Sequence, residues 1–386
     1  MENLSGLFVS NSSGSIDDFD YSFALKKAPL DSEGYVISFS PSQLNEAKDF
    51  FSEYGFMVIR DALSPKQCED SINDIWEYVE KEKWKPSLAP RNFGVKRDDI
   101  STWNFEKGWP SALSSEGILA GPPVFTKQAL LNRMNLVLYD IGKLFYESDD
   151  VIVSHDRYGL FRSVIDEKTK EKYVKFMTDY NVHIDMNPWS FFDSSKLGNK
   201  EYSCNYSRDD DFVQEFNATG NVNDKIQVKL QALYNFLDNK EEDGGFHVIP
   251  GMHKKIKEWT KFTSKTFGSS YEKTSIDFIP LFWKSSFGLK EPADKETFKG
   301  IGKFTQRVTS KAGSLIVWSQ FLPHGSAPNF SNNIRMAQFL KIGLASQIEK
   351  FSRIRRAKYV QEKIEKAEIK IEDEKQKKLM GVDILI

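Results

Sequence analysis

Features common in secreted, membrane and nucleic-acid-binding proteins are scarce in this sequence. Only two cysteines, Cys68 and Cys204, occur among 386 residues, too few for a disulfide framework. The longest strongly apolar stretch, around Leu315–Leu322, is interrupted by Ser319 and Gln320 and falls far short of the ~20 residues that a transmembrane helix needs. The 53 Lys+Arg and 55 Asp+Glu residues balance to a net charge of −2, which argues against a protein built to coat nucleic acid.

Targeting signals are also missing from the sequence as given. Residues 1–15 are polar and lack the basic and apolar regions of a secretory signal, and the last residues carry no peroxisomal or retention address. We therefore expect a cytoplasmic protein with no membrane or nucleic-acid partner, and its oligomeric state stays open. Hydrophobic residues make up 40% of the chain, enough for a sizeable core, which excludes wholesale disorder.

The first third of the chain combines helical patterns with one strand pattern. Ser40-Pro41 and Ser64-Pro65 each offer a capping serine followed by proline at the first helical position, so a helix is predicted after each. Gly55–Ile59 between them reads as a short apolar strand. A single third helix is predicted over Thr126–Tyr146 from a stripe of apolar residues.

After about residue 150 the pattern becomes one of short strands separated by turn residues, without regular helices between them. This pattern predicts an antiparallel sandwich or barrel rather than parallel βαβ units. The predicted strands are Tyr158–Ile165, Tyr173–Met186, Val228–Leu237, Phe246–Ile249, Lys303–Thr309, Ser314–Trp318 and Met336–Gly343.

The chain is predicted to divide into three parts. Residues 1–40 are expected to be a flexible lead-in, and residues 41–345 to form one domain with insertions at 194–223 and 254–300. Residues 346–386 are expected to carry a charged helix from Ser346 to Lys378, packed on that domain.

Histidine is rare, with five in the chain, and one lies two positions from an aspartate. His183 and Asp185 fall in a predicted strand, where side chains at i and i+2 point to the same side. An imidazole and a carboxylate thus project together, at a separation that one metal ion can bridge. A His-x-Asp pair alone is weak evidence, since such triplets occur by chance.

A second histidine, His324, strengthens the case for a metal site because it ends a buried strand and is followed by Gly325 and Ser326. His183, Asp185 and His324 together make the two-histidine, one-carboxylate set that suits non-haem Fe(II). Three ligands on one face leave three positions open, enough for a bidentate 2-oxo acid and dioxygen.

Arg335 opens the next apolar strand, where a buried guanidinium needs an anionic partner. Arginine binds carboxylates at two points, so Arg335 and the Ser326 hydroxyl could anchor the far carboxylate of a five-carbon 2-oxo diacid.

Four motifs in this order resemble the phytanoyl-CoA dioxygenase family of Fe(II)/2-oxoglutarate oxygenases. The resemblance covers roughly residues 44–343, and the motifs are specific collectively rather than singly. They are the entry Phe50–Asp61, the His183-x-Asp185 pair, the turn Gly244–His253, and His324-Gly325-Ser326 followed by Asn329 and, eleven residues after His324, Arg335.

The resemblance implies a fold, a reaction and roles for the matching residues. It implies an α+β protein whose core is a double-stranded β-helix, the jelly roll of cupin-like proteins, with flanking helices. It also implies hydroxylation of a C–H bond with conversion of 2-oxoglutarate and O2 to succinate and CO2. His183, Asp185 and His324 match the iron ligands, and Arg335 and Ser326 match the group that holds 2-oxoglutarate. Related halogenases carry a small residue at the position of Asp185, so hydroxylation or desaturation is favoured here.

The chain departs from the family in its long insertions and at Ile184, where the family often has a glutamine-like residue. The insertions between His183 and His324 make the transfer of a substrate from any one member unsafe. The expected substrate is a small, partly apolar molecule. A protein hydroxylase, a non-catalytic β-domain that binds partners, and a cupin-like isomerase or hydrolase remain alternatives.

Several further residues have a functional interpretation beside a structural one. Gln231 and Asn235 lie on one side of a predicted strand and could bind cosubstrate or substrate, although a half-exposed polar face is the simpler interpretation. Trp189 could wall an apolar pocket, and Arg162 could meet a substrate anion. The remaining histidines are expected to be structural or on the surface, with His247 and His253 structural and His155 on the surface.

Overall fold

The computed structural model describes residues 18–80, 94–103, 109, 118–119, 122–165, 182–185, 188, 230–267, 279–280, 304–348 and 350–385. The strands are β1 Phe56–Ile59, β2 Ile118–Leu119, β3 Val151–Val153, β4 Tyr158–Phe161, β5 His183–Ile184, β6 Leu230–Asn235, β7 Gly245–Val248, β8 Ile279–Pro280, β9 Gln306–Arg307, β10 Leu315–Ser319, β11 His324–Ala327 and β12 Arg335–Leu344. The α-helices are α1 Leu44–Tyr54, α2 Pro65–Glu80, α3 Lys127–Arg133, α4 Leu136–Tyr146, α5 Ile256–Phe267, α6 Lys350–Lys366 and α7 Glu374–Met380. Short 3-10 helices cover Ser22–Leu25, Ile100–Thr102, Pro122–Phe125, Met252–Lys254, Ala345–Gln347 and Asp383–Leu385.

Two antiparallel sheets form the centre of the molecule. The major sheet has seven strands in the order β1-β10-β6-β12-β4-β2, with β3 also paired to β12. The minor sheet has five strands in the order β8-β5-β11-β7-β9. This is the double-stranded β-helix, in an α+β protein, that the sequence predicts. Among the described residues no helix is long and apolar enough to cross a membrane.

The major sheet packs helices on one face and the minor sheet on the other, as strand β12 illustrates. Met336 and Leu340 belong to the same apolar cluster as residues of α2 and α4. Ala337 and Phe339, which alternate with them, belong to the cluster that includes Val248 of the minor sheet. Because side chains alternate along a strand, the odd-numbered residues of β12 face the space between the sheets.

The two predicted N-terminal helices both form, and α2 starts where it was predicted. The Ser64 backbone N–H donates to Gln67 Oε1 at 2.9 Å, and the Gln67 N–H donates to Ser64 Oγ at 3.3 Å, which is a reciprocal capping box. At the first helix the predicted start is wrong, because the Gln43 side chain accepts from the Ser40 backbone N–H at 3.0 Å and forms a turn. Helix α1 consequently begins only at Leu44.

The helix predicted over Thr126–Tyr146 is interrupted, which corrects the prediction. Helix α3 ends at Arg133, and the Asn135 side chain accepts a hydrogen bond from the Val137 N–H at 3.0 Å as the cap of α4. The Asn135 side chain also donates to the Ala62 carbonyl at 2.5 Å, so the break is tied to the loop before α2.

The C-terminal segment forms two helices rather than the predicted single one. Glu368 has a positive φ of 54°, and Asp373 caps α7 by accepting from the Lys375 N–H at 2.7 Å. Fully buried Arg356 of α6 donates to the Met380 and Val153 carbonyls, each at 2.7 Å. This arginine therefore joins α6 to α7 and to β3.

The predicted flexible lead-in, residues 1–40, was too long, because part of it packs into the fold. Residues 1–17 lie outside the described part of the chain. Tyr21 is 3% exposed and Val36 is 1% exposed, and both belong to the apolar cluster between the sheets. The predicted insertion at 254–300 likewise contributes Trp259 of α5 to this cluster, whereas the insertion at 194–223 lies outside the described residues.

His155 is buried, not on the surface as predicted. Its ring is 1% exposed and stacks on Phe125 with ring centroids 5.1 Å apart. Burial holds the pKa of His155 well below its usual value, and the nearby Arg356 and Arg133 guanidinium groups lower it further. The folded protein therefore keeps this ring neutral, whereas the unfolded chain takes up a proton near pH 6.5.

We expect the stability that His155 contributes to be fully present above about pH 6.5 and to be lost as the pH falls, because only the unfolded chain binds the proton. Between pH 7.5 and 5.5, the free energy of unfolding of His155→Phe should therefore fall by about 1 kcal/mol less than that of the wild type. Urea unfolding at both pH values measures this. Between pH 7.5 and 8.5 the two proteins should change in parallel, and equal losses on acidification would contradict the prediction.

Candidate metal centre

Two strands of the minor sheet bring the predicted metal ligands together. Strands β5 and β11 are antiparallel neighbours, and His183 lies directly opposite His324. The two ring centroids are 4.5 Å apart. Asp185 follows β5 and turns its carboxylate towards both rings, with Oδ1 3.4 Å from His183 Nε2 and Oδ2 3.6 Å from His324 Nε2. One ligand atom from each residue lies within 4.8 Å of the other two.

The protonation of this group fits a bound cation. The Leu322 carbonyl can only accept, so His324 Nδ1, at 2.8 Å, carries a proton. In the neutral ring the Nε2 lone pair then faces an oxygen of Asp185. Burial raises the pKa of Asp185, but His183 and His324 beside it lower it more, and the net pKa lies well below its usual range. An ionised carboxylate and two imidazoles whose ligand atoms lie within 4.8 Å of one another form a donor set for a transition-metal ion.

A pair of hydrogen bonds orients the Asp185 carboxylate. Trp318 Nε1 donates to Gln231 Oε1 at 3.0 Å, which fixes the orientation of this buried amide. Gln231 Nε2 then donates to Asp185 Oδ2 at 2.6 Å. Gln320 Nε2 donates to the Asp185 backbone carbonyl at 3.2 Å. Such outer contacts usually hold metal ligands in their binding geometry.

These contacts change the expected role of Gln231 and reveal residues that the sequence analysis missed. Gln231 was predicted to bind cosubstrate or substrate, but in the structure its amide supports Asp185. Trp318 and Gln320 were not considered as site residues. One sequence signal could have pointed to Gln320, since it is a polar residue at the end of a buried strand shortly before His324.

Arg335, on β12 of the major sheet, faces the minor sheet and has no carboxylate partner among the described residues. It is 2% exposed, and its guanidinium carbon lies 4.8 Å from the centre of the Phe161 ring. Its Nη1 is 3.5 Å from Ser326 Oγ. Burial, together with the nearby Arg307 guanidinium, lowers the pKa of Arg335 to about 9. A buried cation in this position is costly unless an anion neutralises it.

The Gly244-Gly245 turn forms one wall beside Arg335. A Cβ atom on Gly245 would lie 2.4 Å from Arg335 Nε, so only glycine leaves room for this side chain. The turn is held by Arg307, which the sequence analysis did not single out. The Arg307 guanidinium donates to the Gly244 and Phe246 carbonyls and, at 3.0 Å, to Asn239 Oδ1.

Two other predicted site residues, Asn235 and Arg162, make hydrogen bonds to other parts of the fold. Asn235 Nδ2 donates to the Leu237 carbonyl at 2.6 Å and to Ser310 Oγ at 3.2 Å, so it supports the turn after β6. Arg162 donates to the backbone carbonyls of Ser163 and Trp103. Trp189 lies outside the described residues. The histidines expected to be structural fit that role, since His247 is buried and His253 contacts the Ser52 carbonyl at 3.3 Å.

Comparison with known proteins places this site in a family. A model of the phytanoyl-CoA dioxygenase (PhyH) family matches residues 150–337, which include the three candidate ligands and Arg335. A curated protein of Dictyostelium discoideum, described as "Putative phytanoyl-CoA dioxygenase", is 33% identical over 338 residues and aligns with 82% of this chain and 85% of its own length.

Solved structures resemble the fold at low sequence identity. GlcNAc Inducible Gene 2, GIG2 (DUF1479), from Candida albicans is 13% identical, with a TM-score of 0.53 over 95% of this chain and 83% of its own. EctD from S. alaskensis, solved with 2-oxoglutarate and 5-hydroxyectoine, is 12% identical, with a TM-score of 0.42 over 84% of this chain and 85% of its own. With the curated relative aligned over most of both chains, this chain belongs to the phytanoyl-CoA dioxygenase family of Fe(II)/2-oxoglutarate-dependent dioxygenases.

Proposed function

We propose that this enzyme binds Fe(II) through His183, Asp185 and His324 and hydroxylates a C–H bond of a small, partly apolar molecule. The observation that carries the proposal is the convergence of these three side chains, with ligand atoms within 4.8 Å of one another, on the minor sheet, which faces the strand of the major sheet that carries Arg335. The family implies Fe(II) and 2-oxoglutarate, and the chemistry of this donor set agrees with that implication.

We assign 2-oxoglutarate to the side of the site marked by Arg335. The guanidinium of Arg335 and the Ser326 hydroxyl offer charge-assisted hydrogen bonds to a carboxylate. Ser326 lies two residues after His324 on β11, so both side chains point to the same side of the strand. A diacid that reaches from the metal ligands to Arg335 would neutralise the buried guanidinium.

The protein residues prepare the site, and bound Fe(II) with 2-oxoglutarate supplies the activation of dioxygen. Gln231 and Gln320 hold Asp185, and the Leu322 carbonyl holds His324, so the protein itself orients these two candidate ligands. The presence of Asp185, an acidic ligand, favours hydroxylation or desaturation over halogenation. The overall reaction converts substrate R–H, 2-oxoglutarate and O2 into R–OH, succinate and CO2.

The test is succinate formation from 2-oxoglutarate by the purified protein with Fe(II) under air. We expect succinate only when Fe(II), 2-oxoglutarate and O2 are all present. In a screen of small organic molecules, a substrate should accelerate the reaction and gain one oxygen atom derived from ¹⁸O-labelled dioxygen. Modification of co-purified proteins rather than of any small molecule would favour a protein hydroxylase, although enzymes of this family act on small molecules. Absence of iron-dependent succinate formation would refute the proposal.

A further inference from the structure

A buried lysine lies at the opposite end of the inner face from Arg335. Lys341 and Arg335 are both on β12, six residues apart, so both face the minor sheet and their Cα atoms are separated by about 20 Å at ~3.3 Å per residue. Lys341 is directly opposite Gln231 on β6, and Gln231 is directly opposite Trp318 on β10. Lys341, Gln231 and Trp318 thus form one row across the major sheet.

This row lies at the end of the major sheet's inner face that contacts Asp185. Gln231 Nε2 is 2.6 Å from Asp185 Oδ2, and its directly opposite neighbour Lys341 therefore lies close to the metal ligands. The pKa of Asp185, which burial raises and the two histidines lower more strongly, is also lowered by Lys341. Ser326, in contrast, contacts Arg335. Arg335 and Lys341 consequently mark two different sides of the candidate metal centre.

Lys341 is a buried lysine whose charge acts on Asp185 but is not neutralised by direct contact with any described residue. Its residue is 8% exposed, and its ammonium group makes no hydrogen bond or ion pair with any described residue. A lysine is seldom buried to this extent without a partner. On the same face of β12, the half-buried Phe339 ring precedes Lys341 and offers an apolar surface beside the charge.

We propose that Lys341 binds the anionic group of the substrate, and that the substrate is an organic acid with an apolar body that contacts Phe339. This inference rests on the proposed function, because it assumes that 2-oxoglutarate occupies the Arg335 side. With the diacid held there, the cation on the Asp185 side is the one left for a second anion. The substrate class that follows is a carboxylate of moderate length rather than a neutral molecule.

The test compares a charged and a neutral probe on the loaded enzyme. Octanoate and octanamide are titrated by calorimetry, without oxygen, into protein that already contains Fe(II) and 2-oxoglutarate, so that Arg335 is occupied. We expect octanoate to bind the wild type about 10-fold more tightly than octanamide, as for a hydrogen bond to a charged group. Lys341→Met, which keeps length and apolar packing, should abolish the preference, and Lys341→Arg should keep it. Lys358→Met, at an exposed lysine of α6, is the matched control and should keep it too.

Each other result overturns the inference. A wild type without preference for octanoate, or a preference that survives in Lys341→Met, would show that Lys341 does not bind the substrate anion. A loss of 2-oxoglutarate affinity in Lys341→Met, with the octanoate preference unchanged, would assign the lysine to the cosubstrate. Titration of 2-oxoglutarate into the wild type with Fe(II) tests the proposed function separately. If 2-oxoglutarate does not bind, octanoate and octanamide can still be compared on the protein without it.

Discussion

Asp185→Ala is expected to lower both Fe(II) affinity and succinate formation by at least about 100-fold, because loss of even an outer partner of a metal ligand typically costs about 10–100-fold. The substitution removes the carboxylate that lies between the two imidazoles and the acceptor of the Gln231 hydrogen bond. Two histidines would remain, without the negative charge that attracts a divalent cation. Iron affinity measured by anaerobic calorimetry separates loss of metal from loss of turnover.

The control for this variant is Asp149→Ala. The Asp149 side chain is 57% exposed and pairs with Lys143 on the surface, so its removal should leave iron binding and turnover unchanged. His183→Ala should behave like Asp185→Ala, since it removes another of the three candidate metal ligands. Wild-type iron affinity and succinate formation in either site variant would refute the assignment of the ligands.

Gly245→Ala should raise the dissociation constant of 2-oxoglutarate about 10–100-fold while iron affinity stays within a few-fold of wild type. The new methyl group would lie 2.4 Å from Arg335 Nε and 2.5 Å from Arg335 Cδ, so the guanidinium must leave its position beside Ser326. Hydrogen bonds to charged groups are worth ~1.5–3 kcal/mol, which sets the size of the expected loss. Calorimetry with 2-oxoglutarate and the iron-loaded protein measures it.

A second glycine separates this contact from backbone strain. Gly245 has a φ of 98°, which disfavours alanine by itself. Gly34 has a similar φ of 85°, but a Cβ there meets no atom within 4 Å. Gly34→Ala should therefore show comparable strain without any effect on 2-oxoglutarate, and Arg335→Met should reproduce the loss seen in Gly245→Ala. Equal 2-oxoglutarate affinities for the two alanine variants would mean that the turn does not position Arg335.

Local sequence signals predicted the elements whose ends are determined by nearby residues. The capping box of Ser64 and Gln67 is complete within four residues, so α2 was predicted correctly. The breaks that were missed depend on contacts between distant parts of the chain. Asn135 interrupts a continuous apolar stripe because its side chain also binds the Ala62 carbonyl, and nothing in the stripe reveals that contact.

In the candidate site, too, some features follow from local sequence patterns and others from contacts between distant parts of the chain. The His-x-Asp spacing and the position of His324 before a small-residue turn led to the prediction that these three side chains converge, and strand alternation puts His183 and Asp185 on one side. The role of Gln231 could not be predicted, because its bond to Asp185 forms only when the two sheets face each other. Lys341 was not singled out from the sequence, since burial of a single lysine follows from register and not from local pattern.

The strand order has a consequence for folding during synthesis on the ribosome. Strand β1 pairs with β10, whose residues are made about 250 positions later, and at ~5–20 residues per second this interval lasts roughly 10–50 s. During that time Phe39 can bond one edge of β1, but the edge that pairs with β10 stays open and needs shielding from other chains, as chaperones provide. Because His324 is made later still than β10, the proposed iron site is complete only after more than 320 of the 386 residues have been synthesised.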